Sequence, residues 1–227
     1  MNRVEEMIGD FLGTADLEVT EYDEILRCCE TNKEEALQKI VKLSTSTKNI
    51  ALRKAAASGH IEVVKVLAQA GADVNTMAGA SLSIASQQGH TEVVKALIEA
   101  GADVNNYNWV VGSPLQLASE IGNADIVKLL LDAGFNKDEL YLSLERPAER
   151  GHTEVVKLLI EAGVDVNDDE GCAIEWSLFG QHYEIAKLLL KAGANIDNCS
   201  DYVITCAMQS GDEELVELLK KAGANLE

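Results

Sequence analysis

One phrase occurs six times in this chain: GHIEVVKVLAQAGADVN from Gly59, GHTEVVKALIEAGADVN from Gly89, GNADIVKLLLDAGFNKD from Gly122, GHTEVVKLLIEAGVDVN from Gly151, QHYEIAKLLLKAGANID from Gln181 and GDEELVELLKKAGANLE from Gly211. The glycines that close it (Gly71, Gly101, Gly134, Gly163, Gly193, Gly223) are separated by 30, 33, 29, 30 and 30 residues. A helix-sized unit recurring at that spacing predicts a solenoid, because one such unit cannot bury its apolar face without a neighbour. Stacked repeats offer an extended surface rather than a closed pocket, which points to the binding of another macromolecule.

The local pattern predicts how each repeat is built. In the copy at 89–101, Val93, Val94, Leu97, Ile98 and Ala100 fall at helical spacing, and Glu92 and Lys95 form an i,i+3 pair on the opposite side. The closing glycine supplies a left-handed residue at the helix end. His60, His90, Asn123, His152, His182 and Asp212 stand where the long helix starts; Asn and Asp are good N-caps, so the histidines sharing the slot are expected to cap as well. A shorter helix precedes each long one, marked by Leu52, Leu82, Leu115, Leu144, Ile174 and Ile204 as buried aliphatics. The small residues Ala55, Ala85, Ala118, Ser177 and Ala207 three positions later let helices approach closely, with Pro147 as the exception. Proline is tolerated only in the first turn, so that helix is expected to be shortened or displaced.

These residues carry a resemblance. The phrase at 89–105, with Gly112-Ser113-Pro114-Leu115-Gln116-Leu117-Ala118 as the start of a first helix, resembles the ankyrin-repeat family from about Ile50 to Glu227. The resemblance implies an all-α fold, an ankyrin-repeat solenoid of stacked helix-turn-helix units with short connecting loops. The expected organisation is an N-terminal segment with a degenerate capping repeat over 1–49, its helices at Glu24–Glu30 and Lys33–Leu43, then a polar link at Ser44–Lys48. Six repeats follow over 50–227, with second helices starting near 60, 90, 123, 152, 182 and 212. The chain departs from the family in two ways. The TPLH tetrapeptide is largely lost, and most connections are short: four residues, 76–79, separate Asn75 from Ala80, against seven, 106–112, between Asn105 and Ser113.

Composition narrows the function. The net charge of -19 is spread along the array without a basic stripe, so direct binding to nucleic acid is not expected. No apolar run approaches the ~18 residues that span a bilayer, and the amino terminus lacks a leader pattern, so a soluble, cytoplasmic chain is expected. Five cysteines without CxxC spacing are expected to be reduced thiols. The four histidines share one repeat position and would form a row instead of converging, so the reading assigns no catalytic residue, no metal and no cofactor. The acidic run Asp165–Gly171 fails the calcium-loop spacing, and Asn75, Asn105 and Asn167 are expected to satisfy turn backbone with their amides. Arg146 and Trp176, at equivalent positions, are expected to pack together inside the stack.

What varies from repeat to repeat is the loops and the ends of the first helices. Met77, Tyr107, Trp109, Val110, Tyr141, Asp169, Glu170 and Tyr202, with Gln87, Gln88, Glu120, Glu149, Arg150, Phe179 and Gln209, are the candidate partner-binding residues. The resemblance implies that they line a concave face, and aromatic side chains there are the usual interface anchors. The expected function is a non-enzymatic adaptor, scaffold or inhibitor acting as a monomer on another protein with a basic or mixed-charge surface. The alternative is an acidic mimic of nucleic acid that blocks a basic site.

Overall fold

The computed structural model describes residues 19–108, 110–136, 144–167, 173–196, 199–200 and 202–224. Among them every element is helical: α1 Val19–Thr31, α2 Lys33–Val41, α3 Thr45–Ser58, α4 Ile61–Gln69, α5 Thr76–Gln87, α6 Thr91–Glu99, α7 Pro114–Ile121, α8 Ala124–Asp132, α9 Glu145–Glu149, α10 Thr153–Glu161, α11 Ala173–Phe179, α12 Tyr183–Lys191, α13 Tyr202–Ser210 and α14 Glu213–Lys221. The chain forms two compact units, 1–117 and 118–227, which divide within α7. In each, first helices pack on first helices and second on second, as in α3 with α5 and α4 with α6, or α9 with α11 and α10 with α12.

Burial follows the repeat. Leu52, Leu82, Leu115, Leu144 and Ile174 are fully buried, as are Leu67, Leu97, Ile126 and Leu159 on second helices; each such side chain contributes about 1.5–3 kcal/mol. Ile204 is only half-buried, because among the described residues no further first helix covers α13. The small-residue position is buried throughout, Pro147 included. Pro147 is the third residue of the five-residue α9, so its missing N–H falls in the first turn and the helix is short.

The expected capping repeat falls on α1 and α2, and α2 opens on an Asn32 side chain that accepts from the Glu35 N–H. The expected polar link does not hold: Ser44 caps a helix that already starts at Thr45, accepting from the Thr47 N–H. Lys48, 8% exposed, reaches back to donate to Val41 O at 3.2 Å and Ala70 O at 3.0 Å. One ammonium thus satisfies orphan carbonyls at the ends of both α2 and α4.

The short connection 76–79 has a conformational cost. Met77, Ala78 and Gly79 all take left-handed angles (φ 52°, 53° and 70°), so regular α5 begins at Ala80; non-glycine residues there cost about 1–2 kcal/mol each. The longer connection keeps an antiparallel bridge between Asn108 and Gly112. Asn108 is buried and donates to Met77 O at 2.6 Å, while its Oδ1 accepts from the Val110 and Val111 amides.

The histidines do not cap their own helices: His60, His90, His152 and His182 make no side-chain cap bond, whereas Asn123 and Asp212 do. An imidazole is too bulky to fold back onto its own N3 amide, and it points instead into the preceding repeat. His90 Nε2 donates to Ala57 O at 3.1 Å and His152 Nε2 to Glu120 O at 3.2 Å, each a carbonyl near the end of a first helix. His60 Nδ1 meets the Tyr22 hydroxyl at 3.0 Å. The rings lie over turn glycines, with a Cβ on Gly59, Gly122 or Gly151 meeting His90, His152 or His182 at 2.9, 2.4 and 2.4 Å. The turn asparagines likewise reach across repeats. Asn75 donates to Gly101 O and accepts from the Asp103 N–H, and Asn167 does the same with Gly193 O and the Asn195 N–H.

Cys28, Cys29 and Cys206 are free and buried. Burial, then the neighbouring Cys28 and Glu62, pushes the Cys29 thiol up to about 11, a poor nucleophile. Cys199 is disulfide-bonded, which corrects the expectation of reduced thiols for that residue.

Candidate functional site

The loops and first-helix ends vary from repeat to repeat, and the structure decides which of their side chains meet solvent. In the N-terminal unit Met77 is 45% exposed and Tyr107 52%; Gln88 is exposed, while Gln87 and Val110 are half-buried. The short loop at 76–79 and the bridge at Asn108 fix the backbone that carries Met77 and Tyr107.

In the C-terminal unit the side chains are coupled. The Glu120 carbonyl accepts from Arg150 Nη1 at 2.6 Å and from His152 Nε2, so its backbone is a fixed point between repeats. Glu149 is held by Arg146 at 2.9 Å, an i,i+3 pair along α9. Phe179 and Tyr202 are exposed and stacked with centroids 4.4 Å apart, bringing the end of α11 against the start of α13. Gln209 is exposed on the last turn of α13. Trp109, Tyr141, Asp169 and Glu170 lie outside the described residues.

Two residues are placed differently from the sequence reading. Trp176 is 39% exposed and lies against Phe179, with centroids 5.9 Å apart, while Arg146 is exposed and paired with Glu149. No Arg146–Trp176 stack forms, because α9 is cut to five residues and its guanidinium finds a carboxylate one turn on. Trp176 was therefore missed as a surface residue. The signal was present: it stands three residues before Phe179, and i,i+3 neighbours share a helix face. Ile121 and Met208, 40% and 59% exposed, were missed as well.

Several polar side chains tie elements together. Glu175 accepts from the Ser200 N–H at 3.3 Å and from the Ser200 hydroxyl, tying α11 to the entry of α13. Ser83 makes a comparable tie, donating to Gly112 O at 3.1 Å. At the far end Lys187 lies between Glu184, Asp212 and Glu214 at 3.1–3.3 Å, which raises its pKa, Asp212 contributing most. Asp212 is held low by the Leu215 amide and then Lys187, and Glu214 by Lys191 and then Lys187. Arg53 is 5% exposed with its Nε unpaired, and burial lowers its pKa. Among the described residues no group of three or more His, Cys, Asp or Glu converges to hold a metal, and no helix is long and apolar enough to cross a membrane.

The comparisons with known proteins agree with this architecture. The family model described as ankyrin repeats (3 copies) matches residues 24–108, 82–170 and 147–200. Among solved structures, the human ASB11 ankyrin repeat domain is similar, with a TM-score of 0.64 and 31% identity over 78% of this chain and 85% of that one. No curated protein matches significantly. On the family match and the shared helical fold, the chain belongs to the ankyrin-repeat family.

Proposed function

We propose that this chain is a non-enzymatic adaptor, scaffold or inhibitor that grips a partner protein through its loops and first helices. Ankyrin repeats are generally protein–protein interaction modules, and the family is typically non-enzymatic. One observation carries the assignment of the face. Of the eight exposed large apolar side chains among the described residues, Met77, Tyr107, Ile121, Trp176, Phe179, Tyr202 and Met208 lie in loops or first helices, and only Val41 does not. The exposed positions of the second helices instead carry charges, such as Lys65, Lys95, Lys128, Lys157 and Lys191 with Glu92, Glu154 and Glu184. Aromatic and methionine side chains are enriched at interfaces while lysine and glutamate are depleted, so the two sides of each repeat differ in the way an interface differs from bare surface. The net charge of -19 favours a partner with a basic or mixed-charge surface.

The test is capture from a lysate of the source organism, with the bound proteins identified by mass spectrometry. Replacing Tyr107 and Phe179 by alanine removes the specific partner, whereas replacing Lys95 and Lys157 leaves it in place. Retention after the first change and loss after the second assigns binding to the other side. A partner that washes off steeply with salt yet ignores both aromatic changes favours a charge mimic of nucleic acid.

A further inference from the structure

The proposed interface carries, in its C-terminal unit, a cluster whose chemistry suits one kind of side chain. Phe179 and Tyr202 stack with planes 22° apart, and Trp176 leans on Phe179 at 38°. The three rings are 51%, 42% and 39% exposed, in a chain with only 4% aromatic residues. Packing explains the ring surfaces that touch each other; it does not explain why so much of three aromatic side chains is left in water on two adjacent first helices.

The second element is a fixed carboxylate. Glu175 precedes Trp176 and is held by the Ser200 amide and hydroxyl, and Ser200 stands two residues before Tyr202. The same junction of α11 and α13 that stacks Phe179 on Tyr202 therefore also anchors a negative charge. A carboxylate has about four lone-pair sites, and Ser200 occupies two, so Glu175 keeps capacity to accept from a ligand. The third element is the field: residues 118–227 hold 9 Lys and Arg against 22 Asp and Glu, a balance of -13. The two cations at the neighbouring α9, Arg146 within it and Arg150 just past its end, are engaged with the Glu149 carboxylate and the Glu120 carbonyl.

Exposed aromatic rings beside a positioned carboxylate in an acidic unit suit a planar cation. A guanidinium meets all three features at once, because it lies flat on an aromatic face, is weakly hydrated and presents a fork of N–H donors to a carboxylate. A lysine ammonium feels the same field and is more costly to strip of water. Resting on the interface reading above, we propose that Trp176, Phe179, Tyr202 and Glu175 form an anchor site for an arginine side chain of the partner protein.

The test uses the full chain carrying Trp109→Phe, so that Trp176 is the sole tryptophan and its emission reports on the site. The probes are an acetylated (Gly-Arg)4 amide, its lysine counterpart and its citrulline counterpart, followed in parallel by calorimetry on the unmodified chain. The arginine peptide quenches Trp176 and binds about fivefold or more tighter than the lysine peptide, and the citrulline peptide does not bind. Phe179→Leu and Tyr202→Leu keep apolar bulk but remove the π faces, and each weakens arginine-peptide binding by about 3- to 30-fold. Glu175→Gln weakens it by a similar factor. Equal binding of arginine and lysine peptides that ignores both leucine variants, or no binding at all, overturns the proposal. If the peptides fail while a captured partner is still lost on Phe179→Ala, the arginine assignment is wrong and the interface reading stands. If the captured partner also survives that change, both fall.

Discussion

The histidine that leans on the preceding repeat makes a sharp stability prediction. Gly151 has φ +78°, and a Cβ there would stand 2.4 Å from His182 Cε1 and 2.7 Å from Nδ1. Gly193 has φ +94°, with nothing within 4 Å of the same position. Gly193→Ala therefore bears only the left-handed backbone cost, about 1–2 kcal/mol. Gly151→Ala bears that cost and must also push the imidazole aside by roughly 1 Å, an overpacking term of about 1–3 kcal/mol, for a total of about 2–5 kcal/mol. Removing the ring removes the second term, so Gly151→Ala in a His182→Ala background costs no more than Gly193→Ala does alone. The double-mutant cycle thus gives a coupling of about 1–3 kcal/mol. Urea unfolding followed by circular dichroism at 222 nm reads these as midpoint shifts, compared at a common slope because repeat arrays depart from two-state behaviour. Equal losses for the two glycines, or a double variant with no relief, would refute the ring-over-glycine contact between repeats.

Other substitutions probe the remaining ties. Lys48→Met leaves the Val41 and Ala70 carbonyls without their donor and lowers stability by about 1.5–3 kcal/mol in the same unfolding assay; an unchanged midpoint contradicts the bracket. Asn75→Ala removes the partners of the exposed Asp103 N–H and Gly101 carbonyl, which water replaces in part, so it costs about 0.5–1.5 kcal/mol and speeds amide exchange at Asp103; unaltered exchange there argues against the tie. Arg53→Met removes a buried guanidinium whose Nε is unpaired, so the change is neutral or stabilising, and a loss above about 2 kcal/mol would mean that Arg53 makes a contact the structure lacks. Asp212 and Glu214 have folded-state pKa values below the ordinary carboxylate range. The folded state binds fewer protons, so their contribution is complete above about pH 5 and is lost as pH falls through the unfolded and then the lowered folded values. Lys187→Met flattens that acid dependence, and identical pH profiles for the two proteins would contradict the ion cluster.

The sequence speaks clearly wherever the controlling distance is short. Leu52, Leu82, Leu115, Leu144 and Ile174 are buried because each recurs at one position of a repeating helix, and period alone reveals that. Ile204 obeys the same pattern and escapes burial, since burial depends on a next neighbour that the pattern does not contain. The histidines fail for a related reason. Local capping rules look three residues ahead, while the carbonyl that His152 satisfies lies 32 residues back. Asn75 and Asn167 have the local pattern of turn residues, yet their amides serve the following repeat's turn. At the candidate site Phe179 and Tyr202 were legible as variable positions, but their stacking on one another is a property of how α11 meets α13. Trp176 was hidden because its equivalence to Arg146 suggested a shared environment; a five-residue α9 and a seven-residue α11 do not provide one.

Site-specific photocrosslinking locates the binding face most directly. A benzophenone amino acid is placed singly at Tyr107, Phe179 and Gln209 on the loop and first-helix side, and at Lys95, Lys128 and Lys157 on the second-helix side, then irradiated with the captured partner bound. Covalent adducts from the first set and none from the second are the expected result. Adducts confined to the lysine positions would contradict the account, because the partner would then sit on the charged helices and leave the exposed rings in water.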